Sequence, residues 1–359
     1  MLGLYVHIPY CEGKCFYCDF YSAGAARSVP ETYVNALLRE LRLASPDAPL
    51  RPDTLYFGGG TPSLLSPAQV CRLIDAAAPV PGAEITLEAN PGTVTPETLR
   101  AFRAAGVNRL SLGVQTARDE SLRRIGRRHT AADARRALAW SAAAGFANIS
   151  GDVMLALPFY TSGELAETLA LLADGGCTHI SSYLLKVEPN TVFGKRPPAG
   201  LPDDDAAADF YLEAVQRLAA LGFAQYEISN FARPGFESRH NLLYWDLQDY
   251  LGIGPAAHSC LHGRRFSTPA RTAAFLAGPA AQEEQGTVTA EDFIMLQLRL
   301  ARGLSLQSLR ENWGVVFTPA QNAFLARACR EGFAVLENDT LRLTPRGMLV
   351  QNSILCELI

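Results

Sequence analysis

Six strand-like apolar runs, each followed by a loop and then a helical pattern, constrain this chain most, because regular strand and helix alternation gives parallel strands joined by crossovers. The runs occupy residues 4–8, 54–57, 85–89, 109–114, 149–155 and 179–185. Helix starts are marked between them. Ser28-Val29-Pro30-Glu31 and Ser66-Pro67-Ala68-Gln69 have the form of capping boxes with a proline near the first turn, and Thr95-Pro96 repeats the cap-then-proline start. After the first of these, Val34, Leu37, Leu38 and Leu41 fall at i, i+3, i+4 and i+7, one apolar stripe suited to lie on a sheet. Gly106 and Gly145 stand where helices should stop.

Such units build either a doubly wound open sheet or a partial barrel, and periodicity does not separate the two. Both place their sites at the carboxyl ends of the strands. Cys11 to Cys18 follow the first run, and Gly58-Gly59-Gly60-Thr61-Pro62 follows the second. Glu88 and Asn90 close the third, Gln115 closes the fourth, and Asp152 lies within the fifth. Side chains from consecutive strands converge more readily on a curved sheet than on a flat one.

Cys11, Cys15 and Cys18 have Cys-x3-Cys-x2-Cys spacing directly after a strand. Three such thiolates can ligate three irons of a four-iron cluster and leave the fourth iron without a protein ligand. The next cysteine, Cys71, is distant, and Phe20 stands where a Cys-x-Cys pair would have closed the site. Structural zinc normally takes four N or S ligands and fits poorly. Disulfides fit poorly as well, because the local trio is odd and the sequence has no secretory pattern of charged start, apolar core and cleavage site. The other cysteines, Cys71, Cys177, Cys260, Cys329 and Cys356, are scattered singly among apolar neighbours and read as small hydrophobes. The glycine run lets a backbone approach a ligand without Cβ clashes, but it lacks the ending of a P-loop and the spaced glycines of a dinucleotide fingerprint.

Together the cysteine trio and the glycine run resemble the radical S-adenosylmethionine (radical SAM) superfamily. The resemblance implies a (β/α)6 partial barrel and a [4Fe-4S] cluster whose open iron is chelated by the amino and carboxylate groups of the methionine moiety. It further implies that one strongly reducing electron splits the sulfonium to give a 5'-deoxyadenosyl radical. Carried over position by position, it implies that Tyr5 and Tyr17 flank the cluster and that Gly59, Gly60 and Thr61 hold the methionine end. Glu88, Gln115, Arg127 and Asp152 would address the carboxylate and ribose. An Arg fork matches a carboxylate, and Asp or Glu accepts from ribose hydroxyls. The arginine pairs at 123–124 and 127–128 also suit a solvated helix face.

After Pro189 the alternation breaks. Residues 193–209 read as a linker, 206–221 as a helix, and 225–232 as a strand leading into a turn. His240-Asn241-Leu242-Leu243-Tyr244-Trp245 follows. A histidine beside aromatics is an ordinary core arrangement, but this motif resembles the signature of the HemW-type haem chaperones, a sister group of the oxygen-independent coproporphyrinogen III dehydrogenases. That resemblance implies haem held by His240, a neutral imidazole being a common axial ligand. Tyr244 and Trp245 would supply flat apolar surface or pack in the core. His258 is a second candidate. Residues 278–286 read as a polar linker; 290–302, 304–312 and 319–331 read as helices; and 333–343 reads as a hairpin. Three helices and a hairpin suggest a winged-helix-like module.

The domains expected are a radical SAM partial barrel over 1–196, an α/β extension carrying the HNLLYW motif over 197–286, and a winged-helix-like domain over 287–359. With 359 residues, 48% of them hydrophobic, the chain can bury a large core. A net charge of -4, and seven arginines against seven acidic residues after residue 289, leave no basic footprint for nucleic acid, which disfavours a transcriptional regulator. No apolar run is long enough to span a bilayer, and the cytoplasm is the expected compartment. The resemblance leaves two main readings: a haem chaperone, and a dehydrogenase that oxidatively decarboxylates the propionates of coproporphyrinogen III. The dehydrogenases carry a fourth cysteine two residues after the third, and an N-terminal extension. Phe20, a start ten residues before Cys11, and the His240 motif favour the chaperone. Implied partners are haem as cargo, haem-acceptor apoproteins including membrane-bound respiratory ones, and an electron donor such as flavodoxin or ferredoxin. No catalytic residue is singled out.

Overall fold

The computed structural model describes residues 1–359. Six parallel strands lie side by side in sequence order: β1 (Leu2–Ile8), β2 (Thr54–Gly59), β3 (Glu84–Ala89), β4 (Arg109–Gln115), β5 (Asn148–Leu155) and β6 (His179–Leu184). They coincide with the six apolar runs. One face of the sheet is apolar: Leu4, Val6, Leu55, Phe57, Leu87, Leu110 and Leu112 are buried together with Val34, Leu37, Leu41 and Leu73 of the crossover helices. The opposite face carries polar side chains with a period of two, notably Tyr5, Tyr56, Thr86, Glu88, Arg109, Ser111, Asp152, Ser181 and Tyr183. A parallel sheet covered only by apolar layers would not need such residues. Here the second face lines a lumen.

Both edges of the sheet are extended by the middle of the chain. The hairpin β7 (Ala224–Glu227) and β8 (Asn230–Ala232) runs antiparallel beside β6. β9 (Asp249–Ile253) pairs in parallel with β1, and a meander of β10 (His258–Leu261), β11 (Arg264–Ser267) and β12 (Glu283–Thr287) continues outward. The order is β12-β11-β10-β9-β1-β2-β3-β4-β5-β6-β8-β7, with β12 and β7 at the free edges, so the barrel is partial. The flat doubly wound alternative does not hold.

Local signals held unequally. Ser66 with Gln69 forms its capping box, and Thr95 forms one with Thr98. The Ser28 box does not form: Pro30 itself is the N-cap of the helix Glu31–Ala44, and no side chain caps that end. The expected linker over 278–286 contains most of β12, whose exposed polar residues are those of an edge strand.

The C-terminal segment has its own core, including Ile294, Leu298, Leu304, Leu325, Leu341 and Ile354. Helices Ala290–Gln297, Leu306–Trp313 and Pro319–Arg330 pack on a small sheet of β13 (Leu304–Ser305), β14 (Ala334–Glu337) and β15 (Thr340–Leu343), ordered β13-β15-β14. Helices Pro345–Leu349 and Gln351–Leu358, which the sequence pattern did not announce, close it. No helix is long and apolar enough to cross a membrane.

Candidate functional site

The cysteine loop leaves β1 at the carboxyl edge of the barrel. Its backbone is tied down: Cys11 N–H donates to Ala23 O at 2.9 Å, Phe16 N–H to Ile125 O at 3.1 Å, and Cys18 N–H to Cys15 O at 3.2 Å. All three thiols are free and part-exposed. The sulfurs are met by donors, Thr61 Oγ1 lying 3.5 Å from Cys11 Sγ and Arg127 Nη1 3.6 Å from Cys15 Sγ. Burial pushes the Cys18 thiol and the Tyr17 phenol above their ordinary pKa values. The trio does not converge as a single ion requires. A four-iron cluster, with each sulfur on its own iron, asks for a wider spread. Free thiols and sulfur-directed donors fit such a cluster.

The glycine run explains how the loop sits so close to β2. A Cβ on Gly60 would stand 2.7 Å from both Ile8 O and Tyr10 O, and one on Gly59, at φ +110°, would meet the His7 ring at 2.4 Å. Gly60 N–H donates to Ile8 O at 2.9 Å and Thr61 N–H to Tyr10 O at 2.7 Å, which locks the two segments together. Asn90 joins the strands: its Nδ2 donates to Thr61 Oγ1 at 3.0 Å and its Oδ1 accepts from Arg127 at 2.7 Å. Arg127 also donates to Gly113 O. It is thus tied into the site and is not a solvated helix face. Gln115, buried at the end of β4, holds a positive φ of 69°.

Deeper in the lumen, Glu88 accepts from Tyr56 Oη at 2.8 Å and from Gly59 N–H at 3.2 Å. Burial raises its pKa to about 7, with the Asp152 charge adding to the effect. Asp152 accepts from Ser111 Oγ at 3.2 Å, and burial also raises its pKa. Tyr5 Oη pairs with His7 Nδ1 at 3.0 Å. The structure thus brings together Cys11, Cys15, Cys18, Tyr17, Gly59, Gly60, Thr61, Glu88 and Arg127, with Tyr5 and Asp152 below them. A pocket of ≈ 310 Å³ opens beside Cys15, lined also by Asn90, Arg127 and His129.

The HNLLYW motif lies at the other end of the barrel. Helix Arg239–Trp245 closes the amino-terminal ends of the strands, its Leu243 against Gly3 of β1. His240 is 1% exposed. Its Nδ1 pairs with Thr54 Oγ1 at 2.7 Å, its Nε2 pairs with Tyr244 Oη at 2.7 Å, and its ring stacks on Tyr56 at 5.0 Å. Burial depresses its pKa to about 3, so the ring is neutral. Both nitrogens are occupied within the fold and neither faces solvent. Trp245 turns away from Tyr244, under the Arg299 guanidinium at 4.4 Å and against the C-terminal segment. His258 lies exposed on β10, its Nδ1 3.2 Å from Gln285 Oε1.

His7, Tyr56 and Arg109 were not singled out as site residues, and Asn90 was placed at the end of its strand without a role. The signal for Asn90 was present, since Thr86, Glu88 and Asn90 are polar at every second position. Arg109 was visible only as a charge opening an apolar run.

Comparison with known proteins follows the same outline. The Radical SAM superfamily matches residues 5–172, and the HemN C-terminal domain matches residues 286–350. A protein of Haemophilus influenzae named "Heme chaperone HemW" is 35% identical over 372 residues, covering 99% of this chain and 97% of the relative. Its Escherichia coli counterpart is 38% identical over 372 residues with the same coverage. Among solved structures, coproporphyrinogen III oxidase (HemN) from Escherichia coli superposes with a TM-score of 0.84 at 24% identity, covering 99% of this chain and 89% of that one. That likeness speaks to the fold alone. The full-length relatives go further, and the chain belongs to the HemW family of radical SAM proteins.

Proposed function

We propose that this chain is a haem chaperone, which binds haem and delivers it to apoproteins, with a [4Fe-4S] cluster and S-adenosylmethionine as its resident groups. The observation that carries the reading is the end-to-end likeness to HemW proteins at 35% and 38% identity. Phe20 in place of a fourth cysteine agrees with it. Cys11, Cys15 and Cys18 would hold the cluster, which supplies a low-potential electron when bound. Thr61 and Arg127 direct hydrogen bonds at its sulfurs. Gly59 and Gly60 leave backbone free for the methionine end, and Glu88, Gln115, Arg127 and Asp152 offer partners for its carboxylate and the ribose. An electron-transfer protein would reduce the cluster from the exposed cysteine face.

Haem contact by His240 has a structural condition. One of its ring nitrogens must give up its present partner, Thr54 at Nδ1 or Tyr244 at Nε2, to take iron, while the other can keep its hydrogen bond. The experiment that tests the function incubates the reduced, cluster-loaded protein side by side with haem and with coproporphyrinogen III. A stable Soret band and an unchanged coproporphyrinogen are expected. Oxidative decarboxylation of the propionates would overturn the reading.

A further inference from the structure

Arg109 opens β4 inside the barrel and is 2% exposed, yet its Nε and Nη1 have no hydrogen-bond partner and no carboxylate pairs with it. An isolated buried guanidinium costs several kcal/mol, so proteins ordinarily pair one or give it water. Its neighbours across the sheet share the condition. Thr86 on β3 and Asn148 on β5 stand in register with it, and Thr86 Oγ1 and Asn148 Oδ1 are also buried without partners. Three adjacent strands thus present unsatisfied polar groups in one row.

The row faces the lumen. Leu110, the next residue of β4, is fully buried on the helix side, which turns Arg109 inward. Its positive charge is felt by Glu88, Asp152, His179 and His240 from the surrounding strands and the closing helix. The row is ringed by aromatic side chains: Tyr5 and Tyr56 stand in register with it, Tyr244 comes from the closing helix and Tyr226 from β7, all half-buried, and Tyr183 of β6 is 42% exposed. A lumen with aromatic walls and one unpaired cation set among them suits a flat apolar molecule bearing a carboxylate.

We propose that Arg109, with Thr86 beside it, is the receptor for a propionate carboxylate of the tetrapyrrole cargo. The assignment rests on the haem-chaperone reading. It gives the guanidinium the anion it lacks and sets the depth at which the cargo sits, next to His240. Arg is suited to this because its fork binds a carboxylate through two N–H groups at once.

Haem and haem dimethyl ester, whose propionates are neutral, distinguish a carboxylate receptor from a row bridged by water. Each is titrated into the full-length protein and into Arg109→Gln, Arg109→Lys and Thr86→Val, with the Soret band and far-UV circular dichroism recorded. The wild type should prefer haem to the ester by about 10- to 100-fold, the range one charge-assisted contact carries. Arg109→Gln should abolish the preference with the Soret maximum unmoved, Arg109→Lys should restore part of it, and Thr86→Val should reduce it. Equal affinity of the wild type for haem and ester overturns the proposal, as does a folded Arg109→Gln that keeps the preference. Should Arg109→Gln lose its fold, an undiminished preference in both Arg109→Lys and Thr86→Val overturns it. Absence of haem binding in the wild type defeats the chaperone reading as well, whereas binding without discrimination defeats this assignment alone.

Discussion

The two ends of the barrel carry the two ligand-like motifs of the chain, and they treat them oppositely. At the carboxyl end, Cys11, Cys15 and Cys18 are part-exposed on a loop whose backbone is fixed, and Thr61 and Arg127 reach the Cys11 and Cys15 sulfurs only by long contacts of 3.5 and 3.6 Å. At the amino end, His240 is sealed in, with Thr54 and Tyr244 on its nitrogens and Tyr56 on its face. The first end is held in place by its backbone and stays open to solvent. The second is complete, and His240 must break one of its hydrogen bonds to bind anything. Residue type alone marks both as ligands; the satisfaction of each donor and acceptor separates a standing site from one that opens.

The largest effect expected from this contrast is at the cysteines. Anaerobic reconstitution should give about four irons per chain, with a complete loss in Cys11→Ser, Cys15→Ser or Cys18→Ser, since three ligands already leave one iron unprotected. Folding should barely change, because no core contact depends on these thiols. Iron retained in all three variants would remove the site and with it the contrast.

His240→Ala should do the reverse, costing fold stability at pH 7 by about 2–4 kcal/mol, since it leaves the Thr54 and Tyr244 hydroxyls facing a cavity. The same residue makes the closed end acid-sensitive. Its pKa is about 3 in the fold, against an ordinary 6.5 in the unfolded chain. Between those values the unfolded chain takes up a proton that the folded chain refuses, so stability is present above pH 6.5 and falls as pH drops. By pH 5 the loss from this residue is about 2 kcal/mol. Urea midpoints of wild type and His240→Ala between pH 5 and 7 should converge toward acid. Parallel profiles would mean that His240 titrates normally and is not sealed.

Glu88 carries the opposite sign at the open end. With a folded pKa of about 7, raised from 4.5 chiefly by burial, the fold holds a proton that the unfolded chain releases, so stability declines as pH rises from 4.5 through 7. Glu88→Gln should flatten that decline by up to about 2 kcal/mol between pH 5 and 8. An unchanged slope would place the carboxyl in ordinary solvent.

The six barrel strands were legible because each is a short apolar run followed by a loop and a helical pattern; that polar residues among them, such as Glu88 beside Leu87, face a lumen emerges only in the structure. The cysteine loop was legible because its chemistry lies in local spacing. What escaped depends on distant partners. Ser28 fails as a cap because Pro30 takes that position, and β12 is a strand only because β11 offers it an edge. His240 read as a ligand because nothing near it in sequence announces Thr54, and Arg109 looked unremarkable until Thr86 and Asn148 came into register beside it. Trp245 packs beneath Arg299 of the C-terminal segment, a partner that nothing near it in sequence announces.

The smallest effect expected is also the finest probe of the open end. Thr61 gives Cys11 Sγ a long hydrogen bond of 3.5 Å and accepts one from Asn90 at 3.0 Å. Thr61→Val keeps the shape and removes both, which should cost about 1 kcal/mol of stability because Asn90 can still reach Arg127. The sulfur, however, loses a donor that favours the reduced, more negative cluster, so the reduction potential of the reconstituted cluster should move lower while iron content stays at wild-type level. Redox titration followed by electron paramagnetic resonance reads the shift. A potential unmoved by Thr61→Val would mean that the glycine run shapes the cysteine loop sterically, through Gly59 and Gly60, without tuning what the loop holds.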